Sequence, residues 1–141
     1  MFPQMQYCMC VWGSCTKTQK RRLQKCINFA VRIVTGLGSR ERVSGVLRDL
    51  GWRAIDVMIA ERDLYAMYKF IHGIDAPELL CSRIVSRSDV AARSTRATDD
   101  GQLEIPRSRT EFGRRCFFSR AVRAWNELPL HMRSSSSMCY S

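Results

Sequence analysis

Two long stretches with helical periodicity, each followed by a glycine, constrain the fold of this chain most strongly. In residues 17–35 apolar side chains recur every three or four positions, and Gly36 follows. Residues 55–72 show the same periodicity and are followed by Gly73. Glycine often ends a helix because it adopts the left-handed backbone conformation without strain. With 45% apolar residues in 141, the chain can build one core. We therefore predict a mainly α protein, a small bundle of two long and several short helices.

The first long helix is predicted to have an apolar face and a cationic face. The apolar face comprises Leu23, Cys26, Ile27, Ala30, Val31, Ile33 and Val34. The opposite face comprises Lys17, Arg21, Lys25, Asn28 and Arg32. The second long helix has two apolar stripes, which contain Val57, Ala60, Leu64, Met67, Tyr68 and Ile71 in one and Ile55, Ile59, Ala66 and Phe70 in the other. It is expected to be the central core element, with Asp56 as its cap or in its first turn.

Shorter elements are predicted from turn residues and brief apolar runs. Helices are expected at 43–50, before Gly51, and at 77–85, with a proline at the start. A last helix is expected at 121–128, presenting Val122 and Trp125 and ended by Pro129. The apolar runs 103–105 and 116–118 are candidates for a minor β-hairpin near the C-terminus, in which Pro106 would confine the first run to an edge.

Composition shifts along the chain predict five parts. They are an extended N-terminal segment at 1–16, a helical region at 17–85, a flexible Arg/Ser linker at 86–102, a C-terminal motif region at 103–133 and a disordered tail at 134–141. The linker is rich in arginine and serine and holds almost no bulky apolar residue, which is typical of a loop.

The charge of the chain is strongly positive and unevenly distributed. Lys and Arg number 23 against 13 Asp and Glu, a net charge of +10. Residues 1–39 contain six cations and no acid, and residues 83–123 contain ten arginines against five acids. Arginine binds phosphates in a two-pronged geometry, so a polyanionic partner is expected. The alternative is that these charges only solvate helix faces.

Other features of the sequence bear on where such a chain would work. No run approaches the roughly 18 apolar residues of a membrane span, and the N-terminus lacks the basic start of a secretion signal. Seven cysteines, an odd number, disfavour a full set of disulfides and favour a reducing compartment. We therefore expect an intracellular protein, of the cytoplasm or nucleus, with no membrane partner.

Two groups of cations are candidate nucleic-acid-binding residues. They are Lys17, Arg21, Lys25 and Arg32 on the first helix, and Arg107, Arg109, Arg114 and Arg115 in the C-terminal region. No acid precedes Glu41, so nothing nearby along the chain neutralises the first group. The second group adjoins Phe117 and Phe118, and such a mixture of arginine and aromatic residues is typical of single-strand binders. Packing of those rings against Trp125 is the alternative.

No catalytic residue, metal site or cofactor is predicted from the sequence. Asp99-Asp100 resembles the paired carboxylates of a polymerase metal site, but an Arg-rich loop precedes it and a glycine follows, which favours a solvated turn. Cys8, Cys10 and Cys15 cluster without the four ligands that zinc needs. His72 and His131 lie where structural roles suffice, and no nucleophile and base can be paired.

The sequence resembles the region that follows the polymerase palm in reverse transcriptases of non-LTR retrotransposons, of the jockey-like and related clades. Seven motifs in the same order carry the resemblance: Val11-Trp12-Gly13-Ser14; Arg22-Leu23-Gln24-Lys25 through Ala30-Val31-Arg32-Ile33-Val34-Thr35-Gly36; Leu50-Gly51-Trp52; Met67-Tyr68-Lys69-Phe70-Ile71-His72-Gly73 with Ala76-Pro77; Ser94-Thr95-Arg96; Ile105-Pro106-Arg107-Ser108-Arg109-Thr110; and Ala124-Trp125-Asn126-Glu127-Leu128-Pro129.

This resemblance implies that the helical region is thumb-like and grips a template and primer duplex. It also implies that the palm, fingers and endonuclease would lie upstream, so that the chain is a C-terminal fragment whose parent is an RNA-directed DNA polymerase and which is not catalytic alone. Its partners would be the RNA or DNA backbone and the remainder of the reverse transcriptase. The alternative is a small basic helical protein-interaction module, or an untranslated transposon relic, with no nucleic-acid role.

Overall fold

A computed structural model describes residues 3–90 and 101–134 of the chain. Its helices are α1 (Pro3–Gln6), α2 (Met9–Trp12), α3 (Lys17–Thr35), α4 (Ser44–Asp49), α5 (Ile55–Ile71), α6 (Glu78–Cys81), α7 (Arg87–Val90), α8 (Glu111–Arg115), α9 (Phe117–Glu127) and α10 (Leu130–Arg133). The predicted mainly helical fold, with two long helices and several short ones, is confirmed. The chain divides into two compact units, unit 1 up to Arg62 and unit 2 from Asp63 onwards.

Both long helices begin and end for local reasons. Thr16 and Gln19 form a capping box at the start of α3, in which the Thr16 hydroxyl accepts from the Gln19 N–H and the Gln19 side chain accepts from the Thr16 N–H. Gly36, with φ 69°, ends α3, and Gly73, with φ 63°, follows α5. Other residues rarely adopt this left-handed conformation, so the glycine positions were reliable signals of helix ends.

The core of unit 1 is built by four helices. Its buried side chains are Met9 of α2, Ile27 and Val31 of α3, Val43 and Leu47 at α4, and Ile55, Met58 and Ile59 of α5. Met9 is only 2% exposed, and the half-buried Trp12 packs against the same cluster. The segment predicted to be extended therefore contains α1 and α2, because burial of these apolar side chains stabilises helices too short to form alone.

The predicted apolar face of α3 is buried only in part. Ile27 and Val31, one turn apart, are buried, whereas Ile33 and Val34 are 66% and 63% exposed and Cys26 is exposed as well. The core of unit 1 covers a narrower strip than the periodicity implied. Phe29, one turn before Ile33, is also 66% exposed.

The core of unit 2 uses the second half of α5, a short extended segment and α9. Its buried residues are Met67, Tyr68, Leu103, Ala121, Val122 and Trp125. The first half of α5 thus contributes Ile55 and Ile59, from one predicted stripe, to the core of unit 1. The second half contributes Met67 and Tyr68, from the other stripe, to the core of unit 2. Val57 of the first stripe is 47% exposed.

The predicted hairpin between 103–105 and 116–118 is wrong. Leu103 instead forms an isolated antiparallel bridge with Ser86, and Phe117 begins helix α9. The helical spacing of Phe117, Ala121 and Trp125 brings these side chains onto one buried face of α9, and a strand at Phe117 would lose that packing. The helix predicted at 121–128 is therefore α9 and begins four residues before the predicted start, at Phe117.

Several shorter predictions are refined by the structure. The helix predicted at 43–50 is α4, followed by Gly51, while the one predicted at 77–85 ends early, at Cys81. The predicted linker begins with ordered structure, since α7 lies within it and Ser86 pairs with Leu103. Its middle, 91–100, and the tail at 135–141 lie outside the described residues. Within the described ranges, no helix has the length and apolar character that crossing a membrane requires.

Candidate nucleic-acid interface

Three cations of α3 form an exposed line along one side of the helix. Lys17, Arg21 and Lys25 are four residues apart and all are exposed, and we call them the α3 ridge. Because successive residues rise about 1.5 Å along a helix, the ridge spans about 12 Å. Among the described residues no carboxylate forms an ion pair with any of the three. The ridge is thus a row of exposed cations without a direct ion pair to any acidic side chain in the described part of the chain.

Arg32 does not belong to this exposed row, although the sequence placed it there. Its guanidinium is turned to the chain that follows α3, where Nε donates to the Gly38 carbonyl at 3.4 Å and Nη2 donates to the Glu41 carbonyl at 3.2 Å. Carbonyl groups beyond a helix end need donors, and a nearby arginine supplies them. Arg32 therefore holds the turn after α3 rather than extending the ridge.

A pocket of about 370 Å³ lies beside the ridge, between α3 and the first turn of α5. Its lining residues are Lys17, Lys20, Arg21, Gln24, Ile55 and Asp56. Lys20 Nζ lies 3.3 Å from Asp56 Oδ1, and the Lys20 side chain is only 20% exposed. Sequence reasoning missed Lys20 as a site residue, although one signal was present: Lys20 occurs one turn before Leu23 and Gln24, on the side of the helix that faces the core.

Gln24 fixes the floor of this pocket by two hydrogen bonds. Its Oε1 accepts from the Ile55 N–H at 2.8 Å, and its Nε2 donates to Asn28 Oδ1 at 2.8 Å. The first bond satisfies one of the N–H groups that a helix start leaves free. Asn28, predicted on the cationic face, is thus a half-buried support for Gln24.

The second predicted cluster lies in unit 2 and has mixed exposure. Arg107 and Arg109 precede α8 and are exposed, as is Arg114 in the last turn of α8. Arg115 is half-buried, and Arg120 Nη1 donates to its carbonyl at 2.7 Å. Three of the four arginines are therefore available to a ligand, and Arg115 is part of the local structure.

The aromatic residues beside that cluster pack against one another. The rings of Phe117 and Phe118 meet edge to face at 5.2 Å, and Phe117 meets Phe70 in the same way at 5.7 Å. Phe117 also packs against the core that contains Trp125. This arrangement favours the packing alternative over base stacking. Phe112, at 67% exposure, has an accessible ring.

The residues considered for catalysis or metal binding are spread across the structure. Cys8 is exposed, Cys10 donates its thiol to the Arg62 carbonyl at 3.5 Å, and Cys15 is half-buried. The His72 and Tyr68 ring centres lie 4.3 Å apart with the rings tilted at 46°, and His72 is exposed. Asp99-Asp100 lies outside the described residues. Within the described part of the chain, no three His, Cys, Asp or Glu side chains are grouped as metal ligands would be.

Comparisons with protein-family models, with curated proteins and with solved structures found no match to this chain. Its function is therefore inferred from the geometry of the described residues together with the sequence motifs.

Proposed function

We propose that unit 1 binds the phosphate backbone of a nucleic acid through the α3 ridge. The observation that carries this proposal is the exposure of Lys17, Arg21 and Lys25 in one row without an acidic partner among the described residues. Neutralising phosphates with lysine and arginine releases condensed counterions, which favours binding to any sequence.

The spacing of the ridge suits a phosphate backbone. A duplex rises about 3.4 Å per nucleotide along its axis, so the roughly 12 Å of the ridge is comparable with the rise of three to four nucleotides. The capping box at Thr16 and Gln19 holds the first turn of α3 in place, so little order has to be gained on binding.

A salt titration tests the proposal. We expect the full chain to bind duplex DNA or RNA with an affinity that falls linearly as log salt rises. Changing Arg21→Gln and Lys25→Gln together removes two phosphate contacts and flattens the slope by about two. Binding should weaken for all sequences alike, measured by fluorescence polarisation on duplexes of different sequence.

The control removes two charges elsewhere. Arg48 on α4 and Arg123 on α9 are exposed helical positions outside the ridge, so Arg48→Gln with Arg123→Gln matches the change in net charge. We expect its salt slope to stay close to that of the unaltered chain. Equal flattening in both double variants, or no detectable binding at low salt, would contradict the proposal.

We further propose that the chain derives from the thumb and post-thumb region of a non-LTR retrotransposon reverse transcriptase, where the ridge would face a template and primer duplex. The ordered set of motifs from Val11 to Pro129 supports this origin, and the helical region that contains α3 and α5 has the helical character a thumb requires. Genomic DNA upstream of the Met1 codon should then encode an in-frame palm with an aromatic-x-Asp-Asp motif. Absence of such a motif over a polymerase's length would overturn the proposed origin.

A protein-interaction module is the second candidate, and one observation favours it. Phe29, Ile33 and Val34 are each more than 60% exposed on α3, and exposed apolar side chains close together often mark protein contacts. In that case the chain would bind nucleic acid weakly or not at all, and the salt titration distinguishes the two candidates.

A further inference from the structure

The pocket beside the α3 ridge collects more positive charge than its walls neutralise. Lys17, Lys20 and Arg21 bring three cations to it, and Asp56 brings one carboxylate. Asp56 is bound to Lys20 at 3.3 Å, but its side chain is 74% exposed, so it screens that lysine only in part. Two positive charges remain in a concave space of about 370 Å³.

The position of Lys20 argues for a ligand. It lies on the side of α3 that faces the core, and its side chain is 80% shielded from water at a point where an apolar residue would pack. A lysine of this kind buries its methylene stem and keeps its ammonium group at the edge of water, and here that group is paired with Asp56 Oδ1 at 3.3 Å. The exposed Asp56 supplies only part of that pairing, so an anion entering the pocket would be stabilised.

The chain also fixes the pocket in advance of binding. The lining residues of α3 are spaced i, i+3, i+4 and i+7, which places them on one side of the helix. Gln24 is tied to Ile55 N–H and to Asn28, so the floor is set by hydrogen bonds that a ligand does not need to break. The Ile55 N–H at the start of α5 is already bonded to Gln24. The three cations, and not this N–H, would therefore recognise the ligand.

We infer that this pocket binds a phosphomonoester group, the chemistry of a nucleic-acid 5′ end or of a nucleoside monophosphate. A phosphomonoester carries about −1.5 to −2 charges near pH 7 and has three acceptor oxygens, which matches the remaining charge of the pocket. An internal phosphodiester carries one charge and is flanked by sugars on both sides. For a nucleic-acid end the inference rests on the proposed function, because the ridge would hold the strand whose terminus enters the pocket.

The experiment compares two strands that differ only at the 5′ end. The full chain is titrated against a short single-stranded DNA labelled at its 3′ end, bearing either a 5′-phosphate or a 5′-hydroxyl. We expect the phosphorylated strand to bind about tenfold more tightly, as one or two charge-assisted hydrogen bonds would give. Lys20→Gln should reduce that ratio of dissociation constants to about one.

Lys25→Gln is the matched control, because it removes a lysine from the same helix outside the pocket lining. It should weaken the binding of both strands and keep their ratio. Lys17→Gln, at the rim, provides a second pocket variant, and circular dichroism establishes that each variant is folded. Equal affinity of the unaltered chain for the two strands, or a ratio that survives both pocket substitutions, would overturn the inference while leaving backbone binding intact.

A second arm uses inorganic phosphate alone and separates this inference from the proposed function. At equal ionic strength, phosphate should raise the midpoint of thermal unfolding of the unaltered chain more than chloride does, and Lys20→Gln should reduce that difference to the part that phosphate causes by general exclusion from protein surfaces. If the chain binds neither strand but shows this Lys20-dependent shift, the pocket inference stands with a free phosphomonoester as the ligand. Only the proposal of backbone binding then fails. Without a shift and without a preference between strands, the pocket has no such role.

Discussion

Asn126 gives the Trp-Asn motif near the C-terminus a structural role. Its side-chain amide pairs with both backbone groups of Leu103, accepting from the N–H at 2.9 Å and donating to the carbonyl at 2.9 Å. Leu103 is only 6% exposed. The Asn126 side chain thus makes the two hydrogen bonds that a neighbouring strand would make to Leu103 in a sheet. The adjacent Trp125 is buried in the core of unit 2. The motif therefore joins 101–105 to α9 without requiring a ligand.

Asn126→Ala should destabilise the protein measurably. The substitution leaves the N–H and carbonyl of the buried Leu103 unpaired, which costs about 2 kcal/mol or more. The loss is measured as a change in the free energy of unfolding in urea. Glu127→Ala, at the adjacent exposed position, should stay within about 0.5 kcal/mol. Similar losses in the two variants would show that the amide pairing does not stabilise unit 2.

Asp63 and Arg120 form a buried ion pair in unit 2. The Asp63 side chain is 2% exposed, and Arg120 donates to it through Nε at 2.8 Å and Nη2 at 3.0 Å. Arg120 also donates to the Arg115 carbonyl. A two-pronged arginine–carboxylate contact of this kind fixes geometry, although its net effect on stability is small because both charges lose water.

Arg120→Met should cost about 3 to 5 kcal/mol, because it removes the guanidinium that pairs with the buried Asp63 carboxylate. Adding Asp63→Leu should recover part of that loss. Arg123→Met, on an exposed position of the same helix, controls for the loss of an arginine. Chemical denaturation of the three variants measures the effect. If the double variant is no more stable than Arg120→Met, the two side chains are not coupled in this way.

At the scale of elements, periodicity predicted the long helices well and the short pairings poorly. The bounds of α3 and the glycines that end the long helices follow from interactions between residues close in sequence. The bridge between Ser86 and Leu103 depends on a contact between distant residues, which no local pattern encodes. The apolar run at 116–118 was ambiguous because short apolar segments fit both strand and helix.

For the candidate site, too, local spacing predicted which side chains are exposed, whereas contacts between distant residues could not be predicted. The exposure of Lys17, Arg21 and Lys25 was predicted correctly because exposure on a helix follows from spacing. The contacts of Arg32 with the carbonyls of Gly38 and Glu41 depend on how the following turn folds back. Lys20 was missed because its pocket requires α5, which begins 35 positions later in the chain.

The phase of α5 can be tested with two adjacent residues. Leu64 packs against the core of unit 2, whereas Tyr65 lies beside Lys69, whose Nζ is 5.4 Å from the ring centre. Leu64→Ala should therefore destabilise more than Tyr65→Ala, by about 2 kcal/mol for a partly buried leucine. Thermal unfolding of both variants measures the difference. Equal losses of thermal stability would mean that the face of α5 that contains Leu64 does not pack against the core of unit 2.

At the scale of the whole molecule, each compact unit has its own apolar core and its own exposed cations. Unit 1 presents the α3 ridge, and unit 2 presents Arg107, Arg109 and Arg114. Most of the positive charge of the described residues is thus carried on surfaces rather than in the cores, and Arg120, with 16% of its side chain exposed, is paired with Asp63. A net charge of +10 then acts on partners through long-range attraction, and salt weakens it.

The chain by itself should not polymerise DNA. Phosphoryl transfer by two metal ions needs carboxylates that hold the ions about 4 Å apart, and Asp99-Asp100 occurs between an Arg-rich stretch and a glycine rather than between apolar strands. The purified chain, given Mg²⁺, a primed template and deoxynucleotides, should incorporate no more label than a variant with Asp99→Ala and Asp100→Ala. Binding of the same primed template, measured in parallel, ensures that substrate reaches the protein. Incorporation above that of the variant would place a catalytic pair at Asp99-Asp100 and would replace a role in gripping nucleic acid with one in copying it.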